Sequence, residues 1–198
     1  MTEHFDVAIV GLGPVGATLA NLLGQSGITT LVLEREAACH HLPRAVHFDD
    51  EVMRTFQTIG LADRIAAKTR LNIGMRFVDR NGKLLLDWPR PQEVSAQGWH
   101  ASYRFHQPDL ETVLRDGLAR FPEVEVRSRC EDFMLDDRGD HVELRYEDLA
   151  CGRVHRVRAS YVVGCDGARS LVRKTIGSKF VGLASSISIV KVPMTPMP

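Results

Sequence analysis

The most restrictive feature of the sequence is a glycine-rich turn, Gly11-Leu-Gly-Pro-Val-Gly16, that joins two segments of different periodicity. Before it, residues 5–10 form a short β-branched apolar run, which is typical of a strand buried on both faces of a parallel sheet. After it, apolar residues recur at helical spacing as far as Ser26, and Gly27 supplies a helix stop. A second buried strand over residues 29–33 completes a βαβ unit.

The turn has the G-x-G-x-x-G spacing of a dinucleotide-binding site in the required strand-to-helix context. Gly11 permits the tight turn, Gly13 lets the backbone approach a pyrophosphate, and Gly16 allows close packing of helix and strand. The helix N-terminus adds free N–H groups and partial positive charge. Glu34, which lies 18 residues beyond Gly16, is placed to accept hydrogen bonds from an adenosine ribose. The fingerprint alone predicts a dinucleotide without distinguishing FAD from NAD(P).

Composition and charge exclude several other classes of protein. The 198 residues are 44% hydrophobic, with 25 Lys+Arg and 25 Asp+Glu, which argues against a disordered chain and against a nucleic-acid partner. Residues 7–33 carry no charge, but glycines, Pro14 and Asn21 interrupt this stretch, and no basic region precedes it. We therefore expect no membrane insertion. The four cysteines are widely spaced, which favours a cytoplasmic location.

The remaining sequence predicts further α/β structure with an antiparallel, β-rich insertion. Asp49 or Asp50 caps a helix that Gly60 closes, and a second helix spans residues 108–121. Asn81-Gly82 predicts a β-hairpin. Alternating or apolar runs predict five short strands, at residues 124–127, 131–135, 142–146, 154–157 and 161–165.

Three further segments carry a family resemblance. Residues 161–173 read as a buried strand that ends in Asp166-Gly167, Pro43-Arg44-Ala45 follows the second strand, and Gln107-Pro-Asp-Leu-Glu111 opens a helix. Together with the glycine turn, these segments resemble, in order, the single-component FAD-dependent aromatic hydroxylases, the family of phenol hydroxylase and para-hydroxybenzoate hydroxylase. His106 before the Gln-Pro segment and Val46 after Ala45 make the sequence most similar to the 3-(3-hydroxyphenyl)propionate hydroxylase branch.

The resemblance implies a Rossmann-like FAD-binding domain in an NAD(P)H-dependent monooxygenase that acts on a phenolic acid and molecular oxygen. It places Arg44 and Gln107 at the pyrophosphate–ribityl region, and it places Asp166 and Arg169 near FAD and the passing nicotinamide nucleotide. No catalytic acid or base is implied. The implied cofactor-binding residues are Gly11, Gly13, Pro14, Val15, Gly16, Glu34, Arg35, Arg44, Gln107, Asp166, Gly167 and Arg169.

The sequence also departs from this family. The family's second flavin motif, roughly Gly-Asp-Ala-Ala-His, does not occur in it, and residues 179–198 differ from the family pattern. We therefore expect residues 1–178 to form the FAD-binding domain, incomplete relative to the family, and residues 179–198 to be a divergent tail of a truncated or frame-shifted chain. Oligomeric state, substrate and the choice between NADH and NADPH are not predicted.

Two other functions stay open: a non-catalytic FAD-binding fragment and an NAD(P)-dependent dehydrogenase, although a simple nicotinamide-binding domain does not need Arg44, Gln107 and Asp166. Cys39-His40-His41 is more typical of a polar loop than of a metal site. Cys165 has no nearby histidine base in the sequence and is typical of a buried strand residue. Trp88, Trp99 and Phe105 are typical of core residues and less so of an aromatic substrate pocket.

Overall fold

The computed structural model describes residues 2–39 and 45–179. Over these ranges the strands are β1 (Glu3–Val10), β2 (Thr30–Glu34), β3 (His47–Asp49), β4 (Thr69–Leu71), β5 (Gly74–Val78), β6 (Leu84–Pro89), β7 (Ser102–Phe105), β8 (Val124–Ser128), β9 (Cys130–Asp137), β10 (Val142–Asp148) and β11 (Arg153–Gly164). The α-helices are α1 (Pro14–Gln25), α2 (Asp50–Thr58), α3 (Ala62–Ala66), α4 (Gln107–Gly117) and α5 (Leu171–Thr175).

The predicted βαβ unit is confirmed as the start of the fold. Strands β1 and β2 pair in parallel, from Val7 opposite Thr30 to Val10 opposite Leu33, and α1 connects them. Alternate residues of β1 enter two separate cores. Val7 and Ile9 pack with α1, α2 and α4, whereas Ala8 and Val10 pack with β10 and β11. The strand is thus buried on both faces, as its unbroken apolar run predicts.

The main sheet has six strands in the order β8-β2-β1-β11-β10-β9. Its first four strands are parallel, and β10 and β9 continue it in antiparallel fashion. Although β8 and β9 stand at opposite ends of this order, only Arg129 separates them in the chain. The sheet must therefore fold back on itself, and Arg129 turns the corner with a φ of 58°. The antiparallel end covers the face opposite the helices, so the parallel strands lie between two layers.

One strand prediction is wrong. Residues 154–157 and 161–164 do not form two strands but belong to the single strand β11, which contains 12 residues. Cys165, predicted to be a buried strand residue, is half-buried and follows the end of β11. Residues 153–159 pair antiparallel with β10 and residues 157–164 pair parallel with β1, so residues 157–159 pair on both edges. Because Arg158-Ala159-Ser160 contains neither glycine nor proline, nothing in the backbone ends the strand between the two predicted runs.

The other predicted elements are present with small changes. Asp49 caps α2 by accepting a hydrogen bond from the Val52 amide at 3.0 Å. The helix predicted over residues 108–121 begins one residue earlier and ends at Gly117, after which a 3-10 turn follows. The predicted hairpin forms from β5 and β6, and a further small sheet has the order β3-β7-β4.

In the part of the chain that the structure describes, no helix has the length and apolarity needed to cross a membrane.

Candidate functional site

The glycine turn and the Asp166 segment meet at the carboxyl ends of the central parallel strands. The Gly11 amide donates to the Leu33 carbonyl at 2.8 Å, and the Cys165 amide donates to the Val10 carbonyl at 2.7 Å. Gly11 has a φ of 100°, and a side chain there would place its Cβ 2.6 Å from the Cys165 carbonyl oxygen. Two segments 155 residues apart in the chain are therefore in backbone contact, in the crevice where open α/β sheets bind ligands.

The three fingerprint glycines have different surroundings. A Cβ on Gly16 would lie 2.0 Å from the Gly11 carbonyl oxygen, so close packing of helix and turn requires glycine there. A Cβ on Gly13 would meet no atom within 4 Å. Gly13 precedes Pro14 at the start of α1, where neither a side-chain cap nor an acidic first-turn residue is present among the described residues. The helix thus presents uncapped N–H groups beside open space, an arrangement suited to a phosphate.

Glu34 lies at the end of β2 and is bonded to the glycine turn. Its Oε2 accepts a hydrogen bond from the Leu12 amide at 2.6 Å, and its Oε1 accepts one from the Glu36 amide at 2.8 Å. Each carboxylate oxygen can accept more than one hydrogen bond, so both can still receive ribose hydroxyls. Glu34 is therefore a structural acceptor for the turn as well as a candidate ribose ligand.

Asp166 has one satisfied and one unsatisfied carboxylate oxygen. Its Oδ2 accepts from the Leu171 amide at 2.6 Å at the start of α5, which follows the Gly167–Arg169 turn. Its Oδ1 is buried and has no hydrogen-bond partner among the described residues. Burial and then the nearby Asp166 carboxylate raise the pKa of the Cys165 thiol, which makes the thiolate scarcer and argues against a nucleophile there.

The remaining cofactor-binding candidates lie around this crevice or on the surface. The Gln107 side chain is buried, and its Oε1 accepts from the Ala45 amide at 2.9 Å, which brings the start of α4 to the segment that follows Arg44. Arg44 itself lies outside the described residues. Arg35 is exposed and pairs with Glu36 at 3.1 Å, and Arg169 is exposed after Gly167. These assignments stay predictions.

An apolar groove of about 390 Å³ begins at the first turn of α1. The Val15 side chain, which is 70% exposed, stands at its mouth. The groove was not predicted from the sequence, because its walls combine three helices, α1, α2 and α4, with β3 and β7, two strands too short to show a pattern. Its lining residues include Pro14, Val15, Leu19, Phe48, Val52 and Phe105.

The three aromatic candidates have different environments. Phe105 lines the groove, with its ring centroid 5.2 Å from that of Phe48. The Trp99 indole donates to Gln57 at 2.9 Å, and its ring packs against the helical core. Trp88 lies on the β5–β6 hairpin.

No group of three or more potential metal ligands occurs within residues 2–39 and 45–179, and the predicted polar loop at His40-His41 lies outside them.

The sequence and the fold are both similar to known proteins. Residues 4–197 match the profile of a family described as FAD binding domain. The chain is 43% identical over 180 residues to a 3-(3-hydroxy-phenyl)propionate/3-hydroxycinnamic acid hydroxylase of Mycobacterium sp. (strain JLS), covering 91% of this chain and 31% of that protein. It is 42% identical over 177 residues to a probable NADH-specific resorcinol 4-hydroxylase of Rhodococcus jostii (strain RHA1), covering 88% and 33% respectively.

Among solved structures, the chain is similar to the p-nitrophenol 4-monooxygenase PnpA from Pseudomonas putida DLL-E4, with a TM-score of 0.81 and 30% identity over 91% of this chain and 46% of that one. It is also similar to the flavin-dependent monooxygenase PieE in complex with FAD and substrate, with a TM-score of 0.78 and 26% identity over 88% and 32%. The chain spans about a third of the length of the curated relatives described above.

Proposed function

Because the chain belongs to the FAD binding domain family, we propose that it forms the FAD-binding portion of an NAD(P)H-dependent monooxygenase that hydroxylates a phenolic aromatic acid. The contact between the glycine turn, Glu34 and the Asp166 segment is the observation that carries this proposal. It supplies, in one crevice, a helix N-terminus with partial positive charge for a pyrophosphate and a carboxylate for a ribose.

The described residues fit the adenosine and pyrophosphate part of FAD. The pyrophosphate would lie over Gly13, where there is space, and would accept hydrogen bonds from the first N–H groups of α1. Glu34 would accept from the adenosine ribose while it holds the Leu12 amide. The unpartnered Asp166 Oδ1 would accept a hydrogen bond from the ligand or from water bound with it, which would remove the cost of its burial.

Bound FAD would supply the redox and oxygen chemistry, and this chain would bind and orient it. The names of the relatives support the substrate class: one is a 3-(3-hydroxy-phenyl)propionate/3-hydroxycinnamic acid hydroxylase, and another is a probable NADH-specific resorcinol 4-hydroxylase. We therefore assign a phenolic acid such as 3-(3-hydroxyphenyl)propionate as the substrate and a nicotinamide nucleotide as the reductant.

The test of the proposal is the identity of the nucleotide that the folded protein retains. We expect a yellow preparation whose absorbance spectrum shows bound flavin, and release by denaturation should give FAD. Reconstitution of the apoprotein with FAD, FMN and NADH in parallel is the control. FMN should bind more weakly than FAD because it lacks the adenosine ribose that reaches Glu34, and NADH, which carries that ribose, tests whether the flavin itself adds affinity. Recovery of tightly bound NAD(P) without flavin would contradict the proposal.

Glu34→Gln is expected to weaken FAD binding by about 1.5–3 kcal/mol, because a charge-assisted hydrogen bond to the ribose is lost. The Leu12 and Glu36 amides donate to different oxygens of Glu34, and glutamine replaces one of these oxygens with an NH2 donor, so one of the two bonds is also lost. Fluorescence titration with FAD measures the effect. Glu36→Gln is the matched control, since that exposed carboxylate pairs only with Arg35 among the described side chains. If the Glu34→Gln variant and the unchanged protein bind FAD with equal affinity, Glu34 is not the residue that binds the ribose.

The second candidate function is FAD binding without hydroxylation, which the length of the relatives favours for this chain on its own. Supplied with FAD, NAD(P)H and 3-(3-hydroxyphenyl)propionate, the chain should form no hydroxylated product, because two thirds of the relatives' length is not included. Oxygen uptake with and without catalase, together with chromatography, distinguishes turnover from uncoupled oxidation. Stoichiometric product would exclude this second candidate.

A further inference from the structure

Three polar residues lie on one face of α4 and are largely removed from solvent. Gln107, Glu111 and Arg115 follow one another at intervals of four residues, so their side chains are neighbours along the helix. Gln107 is 6% exposed and Glu111 is 3% exposed. Burial of a charged group is costly unless the group is paired and hydrogen-bonded, so a carboxylate at this position requires an explanation.

The two contacts of Gln107 fix the orientation of its carboxamide. Its Nε2 donates to Glu111 Oε1 at 2.7 Å, and its Oε1 accepts from the Ala45 amide at 2.9 Å. A carboxylate only accepts and a backbone N–H only donates, so one of the two orientations of the carboxamide satisfies both neighbours and the other satisfies neither. Rotation by 180° would turn the NH2 group toward the Ala45 N–H, and the bond between α4 and Ala45 would be lost.

The ion pair between Glu111 and Arg115 is poorly built for stability. One nitrogen, Arg115 Nη2, lies 3.4 Å from Glu111 Oε2, and the buried Arg115 Nε has no hydrogen-bond partner among the described residues. Replacement of a buried ion pair by apolar residues of similar size is often neutral or stabilising, whereas removal of one partner leaves an uncompensated buried charge. Arg115 therefore balances the charge of Glu111 but does not account for its presence.

From this geometry we propose that Glu111 is a positioning residue for the FAD site. It fixes the carboxamide of Gln107, which in turn holds Ala45, the neighbour of Arg44 in the chain. The resemblance to aromatic hydroxylases assigns no role to Glu111, but it places Arg44 and Gln107 at the pyrophosphate–ribityl region. The proposal rests on the proposed function in this respect. Glu111 acts on FAD affinity only through Gln107 and does not have to touch the cofactor.

Two variants should show opposite effects on stability and on FAD affinity. Glu111→Leu/Arg115→Met replaces the ion pair by apolar side chains of similar size. It should lower FAD affinity at least about 10-fold, the equivalent of one hydrogen bond, while its melting temperature changes by less than about 3 °C. Arg115→Met is the matched control, because it removes the cation and keeps the acceptor of Gln107. Its melting temperature should fall by about 5 °C or more, while its FAD affinity changes less than about 2-fold.

Two further measurements distinguish positioning from a general structural role. In the apoprotein, the Ala45 amide of Glu111→Leu/Arg115→Met should exchange its hydrogen at least about 10-fold faster than in the unchanged protein, as followed by NMR. Gln107→Leu should weaken FAD binding by itself. Addition of Gln107→Leu to the double variant should weaken it no further, because Glu111 and Gln107 act as one unit.

Independent, additive losses of FAD affinity from Gln107→Leu and from Glu111→Leu/Arg115→Met would overturn the proposal. Normal affinity together with normal Ala45 exchange in the double variant would also overturn it. If the double variant does not fold, Glu111→Gln takes its place, since that carboxamide can turn either group toward Gln107, and Ala45 exchange should again be faster. If the unchanged protein binds no FAD, the proposed function is contradicted, and the Ala45 exchange rates alone then decide whether Glu111 orients Gln107.

Discussion

Gly13→Asp is expected to weaken FAD binding at least about 100-fold, while the fold stays as stable as before or becomes slightly more stable. Gly13 is the N-cap residue of α1, with φ −71° and ψ −172°, values that any residue adopts. A Cβ there meets no atom within 4 Å. Aspartate is among the best N-cap residues, and it improves on glycine by a few tenths of a kcal/mol, to which the helix dipole adds about 0.3–1 kcal/mol.

The same carboxylate would occupy the space proposed for the pyrophosphate. Two like charges about 4 Å apart repel by about 4 kcal/mol at the effective dielectric constant of a protein surface, so FAD affinity should fall at least about 100-fold. Gly13→Asn is the matched control, because asparagine caps the helix equally well and has nearly the same shape but no charge. Titration with FAD and thermal unfolding of the apoprotein measure the two effects. Retention of affinity in Gly13→Asp would place the pyrophosphate elsewhere.

The sequence is sufficient to predict the βαβ unit because its information is local. An unbroken apolar strand, a glycine turn with fixed spacing and a terminal acid lie within about thirty residues, and each has its own physical signature. The hairpin was predictable for the same reason, since Asn81-Gly82 lies between two strand-like runs. The resemblance to aromatic hydroxylases also depended on such short segments, and the FAD binding domain family is confirmed.

What could not be predicted depends on contacts between distant segments. The continuity of β11 depends on its pairing with β10 on one edge and β1 on the other, not on its own residues. Strands β3, β4 and β7 have three or four residues each, too few to show alternation. The hydrogen bond that Glu34 accepts from the Leu12 amide was not predicted, because the fingerprint describes ligand contacts and not the contacts that hold the turn itself.

Gly16→Ala is expected to destabilise the whole domain, in contrast to Gly13→Ala three residues earlier. The added methyl group at residue 16 would lie 2.0 Å from the Gly11 carbonyl oxygen and 3.2 Å from Cys165 Cβ, so α1 would have to move away from β1 and β11. Overpacking against the backbone costs about 3 kcal/mol, a large fraction of the 5–15 kcal/mol that stabilises a typical domain. Gly13→Ala should change the free energy of unfolding by less than about 0.5 kcal/mol, since its methyl group has open space.

Urea unfolding of the apoproteins, followed by circular dichroism, measures this difference without any cofactor. The comparison also separates the two roles of the glycine turn. If Gly13→Ala binds FAD weakly but unfolds normally, residue 13 is needed for the ligand, because the backbone there must approach the pyrophosphate. If the free energy of unfolding and the FAD affinity of Gly16→Ala both fall, and to a matching extent, residue 16 is needed for helix packing. Equal unfolding midpoints for the two variants would mean that α1 can shift without cost, and the turn would then not be the rigid cradle on which the FAD proposal depends.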